Sequence, residues 1–270
     1  MPHMRANGQE LYYEVHGEGE PLLCLMGLAV DTLSWLPQLP AFSTRHRTVI
    51  FDNRDVGQSS MADGGYEIRD MAQDALALAD GLELESFHLL GVSLGGAIAQ
   101  EVALASPDRV RTLTLAVSFP GAGAYARKLA ETWGGRVHRM TREQRIDELL
   151  LLTMSEDWFE DTGTVEWLRG VMLNHPHPQP PEAFARQIDA ASRHDARDRL
   201  GSLRMPVHVI GAERDILVPV WKSHELHDLI PGSKYTVLSR APHGITLERA
   251  EEFNATVLDF IAEAGAVPAA

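Results

Sequence analysis

The sequence predicts an α/β fold: a mostly parallel central sheet flanked by helices, with a helical insertion late in the chain. Three observations carry this. Short, continuous apolar runs bounded by turn residues recur along the chain, as expected of strands buried on both faces. Segments with helical spacing fall between them, and that alternation builds a parallel sheet. One stretch, residues 120–200, carries helical patterns and no strand pattern. The length of 270 residues suits a single large domain with an insertion.

In chain order, residues 11–15 form a strand candidate after the Asn7-Gly8 turn signal. Residues 21–26 form an apolar run that ends at Gly27, and 48–51, 87–92 and 110–117 follow as further runs. Residues 207–210 and 235–238 complete the set. Helical spacing occupies 71–82, with apolar residues at 72, 75, 76 and 79, and then 96–104, 226–230 and 253–262. Within the insertion, 142–152 places Ile146, Leu149, Leu150 and Leu152 on one helical face. The proline-rich stretch 174–181 cannot be helical. The expected organisation is a core of 1–119 and 201–270 with 120–200 as a helical cap insertion. A separate second domain over 120–200 is the alternative.

Composition narrows the function classes. The chain is 44% hydrophobic and 23% charged, which excludes collagen-like, disordered and disulfide-scaffold classes. Its formal charge of -14 argues against nucleic acid or an anionic membrane as partner. No apolar run approaches the ~20 residues needed to cross a bilayer. The first eight residues hold no apolar core of a secretory signal. The single cysteine, Cys24, lies in an apolar run, reads as core, and suits a reducing compartment. A cytoplasmic protein with a small-molecule substrate is the expectation.

The chemistry concentrates at Gly91-Val92-Ser93-Leu94-Gly95-Gly96. A strand precedes this segment and a helix pattern follows it. A sharp strand-to-helix turn exposes the serine Oγ, and small flanking residues let strand and helix approach. A serine nucleophile needs a base, and the base needs an orienting carboxylate. Asp215 follows the strand candidate 207–210, and His243 follows 235–238. Both stand where the order Ser, Asp, His requires them. Glu213, two residues from Asp215, is the competing acid.

These motifs resemble the α/β-hydrolase superfamily across essentially the whole chain. The elbow at 91–96, the Gly211 to Pro219 segment and Pro242-His243-Gly244 match its pattern. Residues 52–59 resemble its Asp-x-Arg-Gly-x-Gly-x-Ser loop, with Asp55 in place of a glycine. Met26-Gly27-Leu28 stands where many relatives carry His-Gly-x. The resemblance implies an oxyanion hole from the backbone N–H groups of Leu28 and Leu94. It also implies acyl transfer without metal or organic cofactor. In look the chain is similar to polyketide methylesterases, enol-lactonases and small carboxylesterases. A serine at the elbow sets it apart from the dehalogenases and epoxide hydrolases of this fold, which use aspartate.

The expected function is therefore hydrolysis of a carboxylic ester or lactone of a small to medium apolar substrate through an acyl-enzyme on Ser93. Hydrolytic C–C cleavage of a β-diketone-like substrate and a ligand receptor on a hydrolase fold are the alternatives. Trp35, Trp158, Trp167 and Met172 are candidates for the substrate pocket. The last three serve equally as the insertion's own core. His175 and His177, separated by a proline, read as loop residues rather than metal ligands. Arg54 reads as a structural ion pair.

Overall fold

A computed structural model describes residues 2–265. Eight strands form one sheet: β1 (His3–Ala6), β2 (Gln9–His16), β3 (Glu20–Leu25), β4 (His46–Phe51), β5 (Phe87–Val92), β6 (Val110–Ala116), β7 (Val207–Ala212) and β8 (Lys234–Leu238). Their spatial order is β1-β2-β4-β3-β5-β6-β7-β8. The first two neighbouring pairs, β1–β2 and β2–β4, are antiparallel, and the remaining five are parallel. The hairpin of β1 and β2 turns at Asn7 and Gly8, both at positive φ. β1 carries no sequence signal, because two of its four residues, His3 and Arg5, are polar or charged and only Ala6 is buried.

Helices cover both faces. α1 (Leu39–Phe42), α2 (Ile68–Gly81) and α3 (Leu94–Ala105) lie between the early strands, and α4 (Gly123–Arg136) follows β6. α5 (Arg142–Thr153), α6 (Glu156–Phe159), α7 (Thr162–Leu173), α8 (Pro181–Arg193) and α9 (Arg197–Leu200) continue to β7. α10 (Trp221–Leu229) joins β7 to β8, and α11 (Ile245–Glu248) and α12 (Ala250–Gly265) close the chain.

The continuous apolar runs have a simple cause. Side chains alternate across a strand, so each run feeds two cores. Leu23, Leu25, Val49, Leu89, Leu113 and Val209 pack against α2 and α3 on one face. Leu22, Cys24, Ile50, Leu90 and Ile210 pack on the other with Phe253, Val257 and Ile261 of α12. Hydrophobic burial on both faces makes the strands a rigid platform, and loops at its carboxyl edge inherit that rigidity.

Residues between β6 and β7 are helical, as expected. The insertion leaves and returns through a paired neck. Ala122 N–H donates to His194 O at 3.1 Å, and Ala196 N–H donates to Pro120 O at 2.8 Å. Gly121 and Asp195 form an isolated antiparallel bridge there. The proline-rich stretch stays irregular up to Pro180, which N-caps α8, and Pro181 opens that helix at its first position.

Candidate active site

The elbow is strained. Ser93 joins β5 to α3 at φ 56°, ψ -119°, a region a serine adopts only when its surroundings hold it there. Its N–H donates to Ala116 O at 2.8 Å, and its carbonyl accepts from Ser118 Oγ at 2.8 Å. The glycines are dictated by close approach. A Cβ at Gly91 would overlap the Gly95 carbonyl, and one at Gly95 would overlap the Leu25 carbonyl.

The three residues expected to act together are together. His243 Nε2 lies 3.0 Å from Ser93 Oγ, and His243 Nδ1 lies 2.7 Å from Asp215 Oδ2. Each comes from the loop after a parallel strand, so the platform sets their spacing. The Asp215 side chain is fully buried. Its Oδ1 accepts from the Leu217 and Val218 N–H groups at 2.9 and 2.8 Å. The carboxylate is thereby fixed in one orientation, with Oδ2 left for the imidazole. Glu213 points elsewhere: it accepts from Ser239 Oγ and Arg240 N–H on the exposed surface, and those donors hold its carboxyl below the usual range.

The two expected oxyanion donors stand on segments that adjoin Ser93. Leu94 is the first residue of α3, where a helix N–H has no intrahelical partner. Leu28 follows Gly27, whose Cα is so close to Ser93 that a Cβ there would stand 3.2 Å from Ser93 Cβ and 3.7 Å from its Oγ. The loop after β3 thus lies directly on the serine. Asn53 Nδ2 donates to Met26 O at 3.1 Å and steadies its start.

The four candidate pocket residues fall in separate environments. Trp35 is fully buried beside Met26, Leu39 and Phe42 in the lower core. Trp158 and Met172 pack with Ile146, Leu150 and Met154, forming a core between α5 and α7. Trp167 is 64% exposed, and with Trp158, Leu168 and Leu247 it lines a separate cleft of about 370 Å³. The apolar residues that do meet the site loops are Trp133 of α4 and Phe184 of α8. They stack edge to face at 5.7 Å and pack in one cluster with Leu28, Leu152 and Leu217. Trp133 was overlooked because Gly134 and Gly135 follow it and blur the helical pattern. The usable signal was its place on the first helix after β6, the strand beside the elbow.

Arg54 is buried and donates to both Asp74 oxygens at 2.6 Å. His175 Nε2 faces Asp31 Oδ2 at 2.8 Å. Among the described residues no group of three or more His, Cys, Asp or Glu is gathered for a metal ion. No described helix is long and apolar enough to cross a membrane.

Comparison with known proteins places this architecture. Residues 20–153 match the alpha/beta hydrolase fold family. A Variovorax paradoxus protein provisionally named carbamate hydrolase RutD is 32% identical, over 96% of this chain and 99% of its own. The chain belongs to the α/β-hydrolase superfamily. An Azorhizobium caulinodans protein that shares the Variovorax protein's provisional name is 29% identical, over 97% of this chain and 99% of its own. Among solved structures, the enol-lactonase of Burkholderia xenovorans LB400 superposes with a TM-score of 0.89 at 26% identity, covering 97% of this chain and all of that one. An α/β-hydrolase sheet with this strand order accounts for the elbow and both loops of the site.

Proposed function

We propose that this α/β-hydrolase is a serine hydrolase of carboxylic esters or lactones, acting through an acyl-enzyme on Ser93. The observation that carries the reading is the unbroken relay from Ser93 Oγ to His243 to Asp215, at 3.0 and 2.7 Å. Ser93 Oγ attacks the substrate carbonyl carbon while its proton passes to His243 Nε2. Asp215 holds Nδ1–H and stabilises the imidazolium. The N–H groups of Leu28 and Leu94 receive the developing oxyanion. Collapse expels the alcohol, which takes the proton from His243. A water then repeats the sequence and frees the acid. In a lactone the leaving alcohol stays tethered to the acyl group.

The insertion serves as the cap in this reading. The Trp133 and Phe184 pair, packed against Leu28 and Leu217, supports a small or medium apolar acyl group, because it offers apolar surface and no charge. A small-molecule substrate and a cytoplasmic site of action complete the proposal, supported by the acidic charge and the single thiol. A second reading has a specific support: the 32% identical relative bears the name of a carbamate hydrolase. A carbamate carbonyl is open to the same attack.

The test is a panel of p-nitrophenyl esters, lactones and aryl carbamates, run on wild type beside Ser93→Ala. Ester or lactone turnover lost in Ser93→Ala, with a phosphonate adduct on Ser93 by mass spectrometry, is expected. Turnover confined to carbamates selects the second reading, and wild-type rates in folded Ser93→Ala would sink both.

A further inference from the structure

A buried polar cluster lies where the insertion meets the loop after β3. Its centre is Gln187 of α8, which is fully buried. Gln187 Oε1 accepts from the Ala29 N–H at 3.0 Å and from Gln179 Nε2 at 3.0 Å. Gln187 Nε2 donates to Arg54 O at 3.3 Å. Gln179 Nε2 also reaches Asp55 O at 2.9 Å, and Arg186 clamps the Asp55 carboxylate with two bonds of 2.8 and 2.7 Å. A buried amide is costly unless its bonds are met. Here they are met by the loop after β3, the loop after β4 and Gln179 ahead of α8, rather than by the helix that carries the side chain.

The loop needs such an anchor. Gly27 precedes Leu28 and has no Cβ to restrict its peptide. Ala29 follows at φ 63°, a left-handed conformation that an alanine leaves unless held. Leu28 itself therefore sits between a permissive residue and a strained one.

We propose that Gln187 is a positioning residue: by holding the Ala29 N–H it aims the Leu28 N–H at the carbonyl oxygen of an ester or lactone bound at Ser93. This rests on the serine-hydrolase reading above. The seating of the cap and the assembly of the oxyanion hole then become one event, because the anchor belongs to α8. A cap lifted from the core releases Ala29 and weakens the site before any substrate is lost.

Two variants and one wild-type measurement test this. Gln187→Met keeps the side-chain length and removes the acceptor. Gln187→Glu keeps an oxygen toward Ala29. With an ester substrate, Gln187→Met should lose at least ~10-fold in kcat with little change in KM, since a lost oxyanion donor costs about 10²–10³. Affinity for an arylboronic acid, which forms a tetrahedral adduct on serine, should fall by the same factor. Gln187→Glu should recover most of both. A folded Gln187→Met protein with wild-type kcat and boronate affinity overturns the proposal. If that variant does not fold, amide hydrogen exchange in the wild type decides: Ala29 N–H is expected to be protected together with the core amides of α8, and rapid exchange at Ala29 overturns the idea. Wild-type turnover by Ser93→Ala would instead refute the serine reading, and this proposal would fall with it.

Discussion

Replacing Asp55 by glycine, the residue its motif usually carries, should destabilise the protein although the backbone there favours glycine. Asp55 sits at φ 70°, and a non-glycine residue in that region costs about 1–2 kcal/mol. Asp55→Gly relieves that strain. It also removes a fully buried carboxylate that accepts two N–H groups of Arg186 at 2.8 and 2.7 Å and the Ala62 N–H at 2.8 Å. Bonds to charged groups contribute about 1.5–3 kcal/mol each. The added glycine freedom costs a further ~0.5–1 kcal/mol. The Arg186 side chain is 21% exposed, so its guanidinium recovers part of the loss from water. The net expectation is a cost of about 2–4 kcal/mol. Arg186→Met should cost at least as much, about 3–5 kcal/mol, because it leaves the buried carboxylate without its cation. Urea unfolding followed by circular dichroism, with linear extrapolation, reads both. Wild-type stability in Asp55→Gly, or a smaller cost for Arg186→Met than for Asp55→Gly, would refute the reasoning.

Asp215→Asn should lower kcat by about 10⁴ by fixing the wrong imidazole tautomer, whereas the exposed Glu213→Gln should stay near wild type; steady-state kinetics in which Glu213→Gln is the crippled variant would reverse the assignment. Trp133→Ala and Phe184→Ala should shift the kcat/KM ranking between small and bulky esters by more than ~1 kcal/mol. Trp158→Ala and Met172→Ala should lower only the melting temperature, since those side chains pack within the insertion. Burial pushes His194 and His208 down to about 4. Between the free-histidine value of about 6.5 and that point, the unfolded chain binds protons that the fold refuses. Stability is therefore full above about pH 6.5 and lost as pH falls toward 4, by up to roughly 3 kcal/mol per histidine. Urea midpoints measured from pH 7 to pH 4.5 should show this, with a shallower fall in His208→Gln; an identical fall in the variant would discard His208 as a cause.

The parts of the molecule that were legible from residues alone are those whose cause is local. The run before Ser93, the glycines around it and the helix after it are neighbours in sequence, and their strain is a property of one turn. Asp215 and His243 were reachable because each follows a short apolar run, and strand order does the rest. The facing of the insertion helices was not legible. Trp158 and Trp133 are equally apolar, and only the packing of α7 on α5, and of α4 on α8, decides which one meets Leu28. Trp35 shows the same limit. It lies near the site in sequence, yet the 3₁₀ turn Thr32–Trp35 directs it into the core. Gln187 carried no signal at all, since a glutamine 158 residues from its partner reads as surface until α8 is docked.

The burial of Cys24 near the end of β3 has a practical consequence. It is the chain's one cysteine, it has no exposed surface, and desolvation raises its thiol so that the reactive thiolate is suppressed. The native protein is therefore expected to stay unlabelled by maleimides without any prior substitution. A cysteine introduced at Tyr125 on α4, where the side chain is 75% exposed, becomes a single addressable handle on the insertion. Paired with a second handle on the exposed edge at Val237 of β8, it turns the distance between insertion and sheet into a fluorescence signal. Any change in that distance during turnover can then be timed in a chain whose own sulfur chemistry contributes no background.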